Sequence, residues 1–273
     1  MGARVITITS GKGGVGKTTA TANLSAALAS LNQRVACIDA DIGLRNLDVV
    51  MGLENRIVYD LVDVVEGRCK LRQAMVKDKR VPDLYLLPAA QTRDKTAISP
   101  QDMVVVTNQL RDDFDLILID SPAGIEWGFR NALAPADEVV VITNPEVSAV
   151  RDADRIIGLV EAEDRHVPVS LVINRVKPEM VRRGDMLSVD DVMDILAIRL
   201  LGVIPEDEMI LISSNRGAPL VLDNERSLAG EAFLNIARRL TGEKVPLLRL
   251  EQKGGFLRRL SRMFGSSNAM PGE

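Results

Sequence analysis

Short apolar, β-branched runs alternate along the chain with segments whose apolar residues recur at helical spacing. RVITIT (4–9), RVACID (34–39), LYLL (84–87), LILID (116–120), EVVVIT (138–143), VSLVIN (169–174) and LLGVI (200–204) read as strands. Residues 17–31, 58–66, 101–111, 127–134, 148–163, 188–198 and 227–241 read as helices. Strands that are apolar throughout and alternate with helices predict an α/β fold, a doubly wound and mostly parallel sheet covered on both faces. Most connections are short and no internal repeat interrupts them, so residues 1–241 are expected to form a single domain.

Beyond 241 the pattern changes. TGEKVPLLRLEQKGG carries a proline, glycines and mixed charge, which predicts a flexible connector over 242–254. At about 100° per residue, Phe256, Leu257, Leu260, Met263 and Phe264 share one side of a helix over 255–264, and Arg258, Arg259 and Arg262 share the other. That pattern suits a short amphipathic, membrane-targeting helix lying in a membrane surface, with its arginines toward anionic headgroups. The small, polar residues 265–273 are expected to be disordered.

Composition narrows the function classes. The chain of 273 residues is 46% hydrophobic and 26% charged, as a globular protein is. Its net charge of −4 argues against general nucleic-acid binding. Because 253–264 holds Lys253 and three arginines without an acid, the remainder is more acidic still. Two cysteines, Cys37 and Cys69, are too few for a disulfide framework, and a reducing compartment is expected. No apolar run approaches the roughly 18 residues of a spanning helix. The first residues lead straight into a strand, with no signal or transit pattern.

The chemistry concentrates in SGKGGVGKTT at 10–19. Gly11-x-Gly13-x-x-Gly16 fits the dinucleotide fingerprint, while Gly11, Gly16, Lys17 and Thr18 fit the nucleoside-triphosphate P-loop. Either reading places backbone N–H groups and a helix N-terminus on phosphate, and Asp39 lies about where a dinucleotide fold keeps its ribose acid. The triphosphate accounts for more. Lys17 supplies a cation for the β- and γ-phosphates, Thr18 a hydroxyl for Mg2+, and LILIDSPAG ends a buried strand in Asp120, as a Walker B segment does. No hydride-transfer constellation accompanies the loop, and His166 sits in the polar stretch EDRHVP. Gly11, Lys12, Gly13, Gly14, Val15, Gly16, Lys17, Thr18 and Thr19 are therefore expected to cradle ATP. Thr18, Asp39 and Asp120 are expected to hold Mg2+. Lys12 is surplus to an ordinary P-loop, and should serve another phosphate or another subunit.

KGGVGKTT, with DADIGLRNLD (39–48) and DSPAGIE (120–126), resembles the deviant Walker A (ParA/MinD) family of dimerising P-loop ATPases. Longer strings extend the resemblance to that family's division-site branch along almost the whole chain. They are IGLRNLDVVMGLENRIVYDLVDV (42–64), AMVKDKR (74–80), LPAAQTRDK (87–95), TNPEVSAVRDADRIIGL (143–159), RGDMLSVDDV (183–192) and LLGVIPED (200–207). The resemblance implies a homodimer clamped by ATP, with Lys12 crossing to the partner's nucleotide, Asp41 orienting the attacking water, and adenine contacts from Asn174, Pro205, Glu206 and Asp207. Lys12, Lys17 and Asp41 would be the catalytic set, and 41–48 and 121–127 the segments that sense the γ-phosphate.

It further implies a docking surface for a MinC-like inhibitor and a MinE-like activator at Arg45, Leu47, Glu54, Glu146, Ser148, Arg151, Asp152 and Asp154. The expected function is an ATPase that hydrolyses ATP to ADP and phosphate and positions the division septum. It would work peripherally on the cytoplasmic face of a bacterial inner membrane, or in chloroplast stroma and at the inner envelope if plastid-encoded. No specific nucleic acid is expected as a partner. The rivals are a DNA-bound partition ATPase, which calls for a basic patch on the folded body, and an electron-transfer relative, which calls for cysteines near a dimer axis. A nucleotide-gated scaffold that barely hydrolyses ATP differs from the first reading only in turnover.

Overall fold

The computed structural model describes residues 2–223, 227–248 and 250, and within them eight strands form one sheet. They are β1 (Arg4–Thr9), β2 (Val35–Asp39), β3 (Val76–Lys77), β4 (Leu84–Leu87), β5 (Leu116–Asp120), β6 (Glu138–Thr143), β7 (Val169–Val176) and β8 (Arg199–Pro205). Their order is β3-β4-β2-β5-β1-β6-β7-β8. Every neighbouring pair is parallel except β3 with β4.

The helices are α1 (Lys17–Ser30), α2 (Leu47–Val50), α3 (Leu61–Val65), α4 (Leu71–Ala74), α5 (Pro100–Leu110), α6 (Trp127–Leu133), α7 (Val147–Glu161), α8 (Pro178–Arg183), α9 (Val189–Leu196), α10 (Glu208–Asn215) and α11 (Leu228–Leu240). Alternation along each strand splits the core. Ile8, Cys37, Leu118 and Val172 pack with Leu24 and Leu28 of α1, Leu47 of α2 and Phe233 of α11 on one face. On the other, Ile38, Ile117 and Ile119 meet α3 to α5, while Val139, Val141, Leu171 and Val203 meet α6, α7 and α9. This is the doubly wound α/β sheet that the pattern predicts.

Caps set the helix boundaries. The helix expected over 58–66 starts only at Leu61, because the Asp60 carboxylate accepts from the N–H groups of Val62 and Asp63. Ser99 and Ser188 cap α5 and α9 in the same way.

The described part of 242–254 is fastened to the domain. Arg239 of α11 donates to the Leu201 carbonyl of β8 (2.8 Å), and to those of Val245 (2.9 Å) and Pro246 (2.5 Å). Leu248 packs against the α1-side core and Leu250 against the α7-side core. The membrane residues expected at Phe256, Leu257, Arg258, Arg259, Leu260, Arg262, Met263 and Phe264 lie outside the described residues. Among the described residues no helix is long and apolar enough to cross a membrane.

Candidate functional site

The glycine loop lies at the carboxyl end of β1, in the middle of the parallel strands, between β5 and β6. β1 runs into residues 10–16, whose Gly14 and Gly16 take left-handed φ of 80° and 92°, a conformation costly to residues with a Cβ. Gly16 caps α1 without a side-chain hydrogen bond, leaving the first N–H groups of the helix for a ligand. These groups and the helix dipole favour phosphate.

Asp120 is the hub beneath the loop. Parallel register puts it level with Asp39 across β2 and β5. Its carboxylate accepts from Lys17 Nζ (3.1 Å), Thr18 Oγ1 (2.7 Å) and Thr21 Oγ1 (3.0 Å). Thr21 is absent from the sequence prediction, although one helical turn after Lys17 puts it on the same face. Asp39 accepts from the N–H groups of Asp41 (3.0 Å) and Leu47 (3.2 Å). Burial, and then Asp120, push its carboxyl up to about 7. Asp41 is half-buried, and burial raises its pKa against the pull of Lys17.

Magnesium suits this donor set. It takes hard oxygen ligands, commonly one or two carboxylates with substrate phosphates supplying more. The Thr18 hydroxyl and the Asp39 and Asp120 carboxylates meet that description, and Lys17 Nζ lies 3.1 Å from Asp120.

Lys12 is held within its own chain. Its Nζ lies 3.3 Å from Glu146 Oε2 and 3.2 Å from Ser148 Oγ, at the start of α7. The same helix presses on the loop again one turn later, where a Cβ on Gly11 would stand 2.3 Å from the Asp152 carbonyl. Arg151 and Asp154 point to solvent, as does Glu54.

Two partner-surface expectations change. Leu47 is 0% exposed and packs with Met51 in the α1-side core, so it cannot dock a partner in this conformation. Asp39 draws the Leu47 N–H inward. Arg45 is mostly covered, its Nε 2.9 Å from the fully buried Asp48.

On the side where the base is expected, an irregularity in β7 with Arg175 at φ 57° aims Asn174 at the loop. Asn174 Nδ2 donates to the Val15 carbonyl (2.7 Å), and its buried Oδ1 has no partner among the described residues. Pro205 is buried at the end of β8 and Glu206 is exposed, 3.9 Å from Arg175. Asp207 caps α10 through the Met209 N–H (2.9 Å). A groove of about 570 Å³ beside them is lined by Pro145, Glu146, Arg175, Met180, Met186 and Glu206, among others. None of residues 11–19 lines it, so it borders the phosphate loop instead of containing it.

Residues 6–220 match the CobQ/CobB/MinD/ParA nucleotide binding domain. The septum site-determining protein MinD of Synechocystis sp. is 58% identical over 245 residues, covering 90% of this chain and 92% of its own. In solved structures, the Aquifex aeolicus MinC:MinD cell division protein complex matches with TM-score 0.83 and 51% identity, covering 90% of this chain and 99% of that one. The Pyrococcus horikoshii septum site-determining protein MinD complexed with Mg-ADP matches with TM-score 0.79 and 31% identity, over 87% and 96%.

Proposed function

Because the chain belongs to the CobQ/CobB/MinD/ParA nucleotide-binding family, in its deviant Walker A branch and closely related to MinD, we infer that it is an ATPase that positions the division septum. ATP is its substrate and Mg2+ its cofactor. The observation that carries this reading is the Asp120 hub, where Lys17, Thr18 and Thr21 gather beneath the N-terminus of α1, which has no side-chain cap among the described residues.

Phosphoryl transfer asks for positioning and charge neutralisation. The loop amides and Lys17 hold the β- and γ-phosphates. Thr18, Asp120 and Asp39 would hold Mg2+, which would supply positive charge to the phosphate oxygens. Asp41 orients the attacking water. Asn174 and the turn at Pro205, Glu206 and Asp207 face the base, and the unpartnered Asn174 Oδ1 suits the exocyclic amine of adenine.

Lys12 changes partners. In one subunit it rests on Glu146 and Ser148; in an ATP-held dimer it reaches the partner subunit's nucleotide and adds charge there. The exposed N-terminal part of α7 is then both the resting place of Lys12 and the candidate surface for a MinC-like inhibitor and a MinE-like activator.

Membrane attachment follows from arithmetic on the sequence of 255–264. Each large apolar side chain gains at most about 1.5–3 kcal/mol on burial, and each arginine near an anionic surface about 1 kcal/mol. A helix of roughly nine residues must be ordered at the same time, so one copy grips weakly. Two copies on one dimer gain through effective concentration. Sedimentation with anionic vesicles tests this: the protein pellets with Mg-ATP and stays in solution with Mg-ADP. Equal pelleting with both nucleotides sinks the proposal, and salt-sensitive pelleting with DNA instead favours the partition reading.

A further inference from the structure

The string AMVKDKR at 74–80 takes no part in the chemistry above, yet its last residues build a dense cluster far from it in sequence. Asp78 is buried in the turn between β3 and β4, and Arg80 forks onto it through Nε (3.2 Å) and Nη2 (2.6 Å). The same guanidinium donates to the Met51 carbonyl (2.5 Å) and the Gly217 carbonyl (2.8 Å). Met51 closes α2, and Gly217 follows the last turn of α10. Carbonyls at helix ends carry partial negative charge and favour a cation.

The two segments also touch directly. Gly52 and Gly217 both take φ of 63°, and a Cβ on Gly52 would stand 2.3 Å from the Gly217 carbonyl oxygen. Little slack separates them.

The origins of these segments give the contact its meaning. α2 continues the stretch that begins at Asp39 and Asp41, and Asp39 holds it directly through the Leu47 N–H. α10 begins at Asp207, in the base-side turn. The geometry points to Arg80 as a positioning residue, a strut that ties the acid-bearing segment 39–52 to the base-side helix 208–217, so that a bound nucleoside is felt at α2 without any γ-phosphate. The inference rests on the base-side reading of residues 205–207. Lysine could keep the charge opposite Asp78, but not the planar fork that serves one carboxylate and two carbonyls at once.

Amide hydrogen exchange on the full chain tests it, with saturating Mg-ADP against saturating Mg-pyrophosphate. Both lack a γ-phosphate, and they differ in the nucleoside. In the wild type, ADP should slow exchange over 47–53 about fivefold or more beyond pyrophosphate. In Arg80→Lys, and in Gly217→Ala, which pushes the Gly52 backbone away, the two ligands should act equally there. Exchange over 207–212 reads the base side separately. If ADP protects it no better than pyrophosphate does, the base assignment falls and the strut with it. If 207–212 respond to ADP while 47–53 of the wild type do not, or if Arg80→Lys keeps the wild-type difference, the strut alone is overturned. A wild type in which 47–53 does not respond overturns the strut even where a variant fails to fold, and Gly217→Ala keeps the test open where Arg80→Lys does not fold.

Discussion

Asp39 ends a strand that is apolar up to it, level with a second carboxylate, and holds its proton up to about 7 instead of the ordinary 3.8. The unfolded chain gives that proton up near 3.8, so between about 4 and 7 unfolding releases it. The contribution of Asp39 to stability is full below that window and is lost as pH rises through it. Asp39→Asn should therefore flatten the fall in stability of the nucleotide-free protein from about pH 4 to 7, read as the difference from wild type in urea midpoints. A second residue-scale expectation concerns Gly16, where an added Cβ would stand 2.4 Å from Asn174 Nδ2 on a left-handed backbone. Gly16→Ala should lose nucleotide binding in a fluorescent-nucleotide titration while the domain still melts cooperatively. The phosphate loop was legible because its chemistry is contiguous in the sequence. Leu47 and Thr21 were not legible, since the burial of one and the aim of the other depend on Asp39 and Asp120, which reach them from other strands.

Among the elements, most long ones announced themselves, but α8 and the eight-residue α10 fall in stretches that the pattern left unassigned, and the shortest elements gave no signal. β1, β4, β5 and β6 run over the residues expected from their apolar patterns. The two residues of β3 and the four of α2 and of α4 span about one period or less, so no periodicity can reveal them. Their placement is tertiary: β3 exists by pairing with β4, and α2 by the pull of Asp39 on its first N–H. The β8–α11 contact shows how closely the longer elements fit. A Cβ on Gly202 would stand 2.3 Å from Ile236 Cγ1. Gly202→Ala should destabilise the domain by about 1–3 kcal/mol through overpacking, measured by urea denaturation.

For the whole molecule, a turnover cycle would be the natural outcome of the proposed dimer, assembled by ATP and dissolved by hydrolysis. Asp41→Ala should keep the dimer from hydrolysing, so the variant should stay on anionic vesicles after ATP addition while the wild type leaves. Unchanged release would remove Asp41 from its role. The sheet order carries a separate consequence for how such molecules come into being. A ribosome delivers the glycine loop first, but the carboxylate shared with Thr18 comes 102 residues later, and the base-side turn follows at Pro205. β1 itself lies between β5 and β6, so the strand that carries the loop has no neighbour until they emerge. A nascent chain is thus blind to cellular ATP until β5 and β6 have emerged, 102 residues or more after the loop itself.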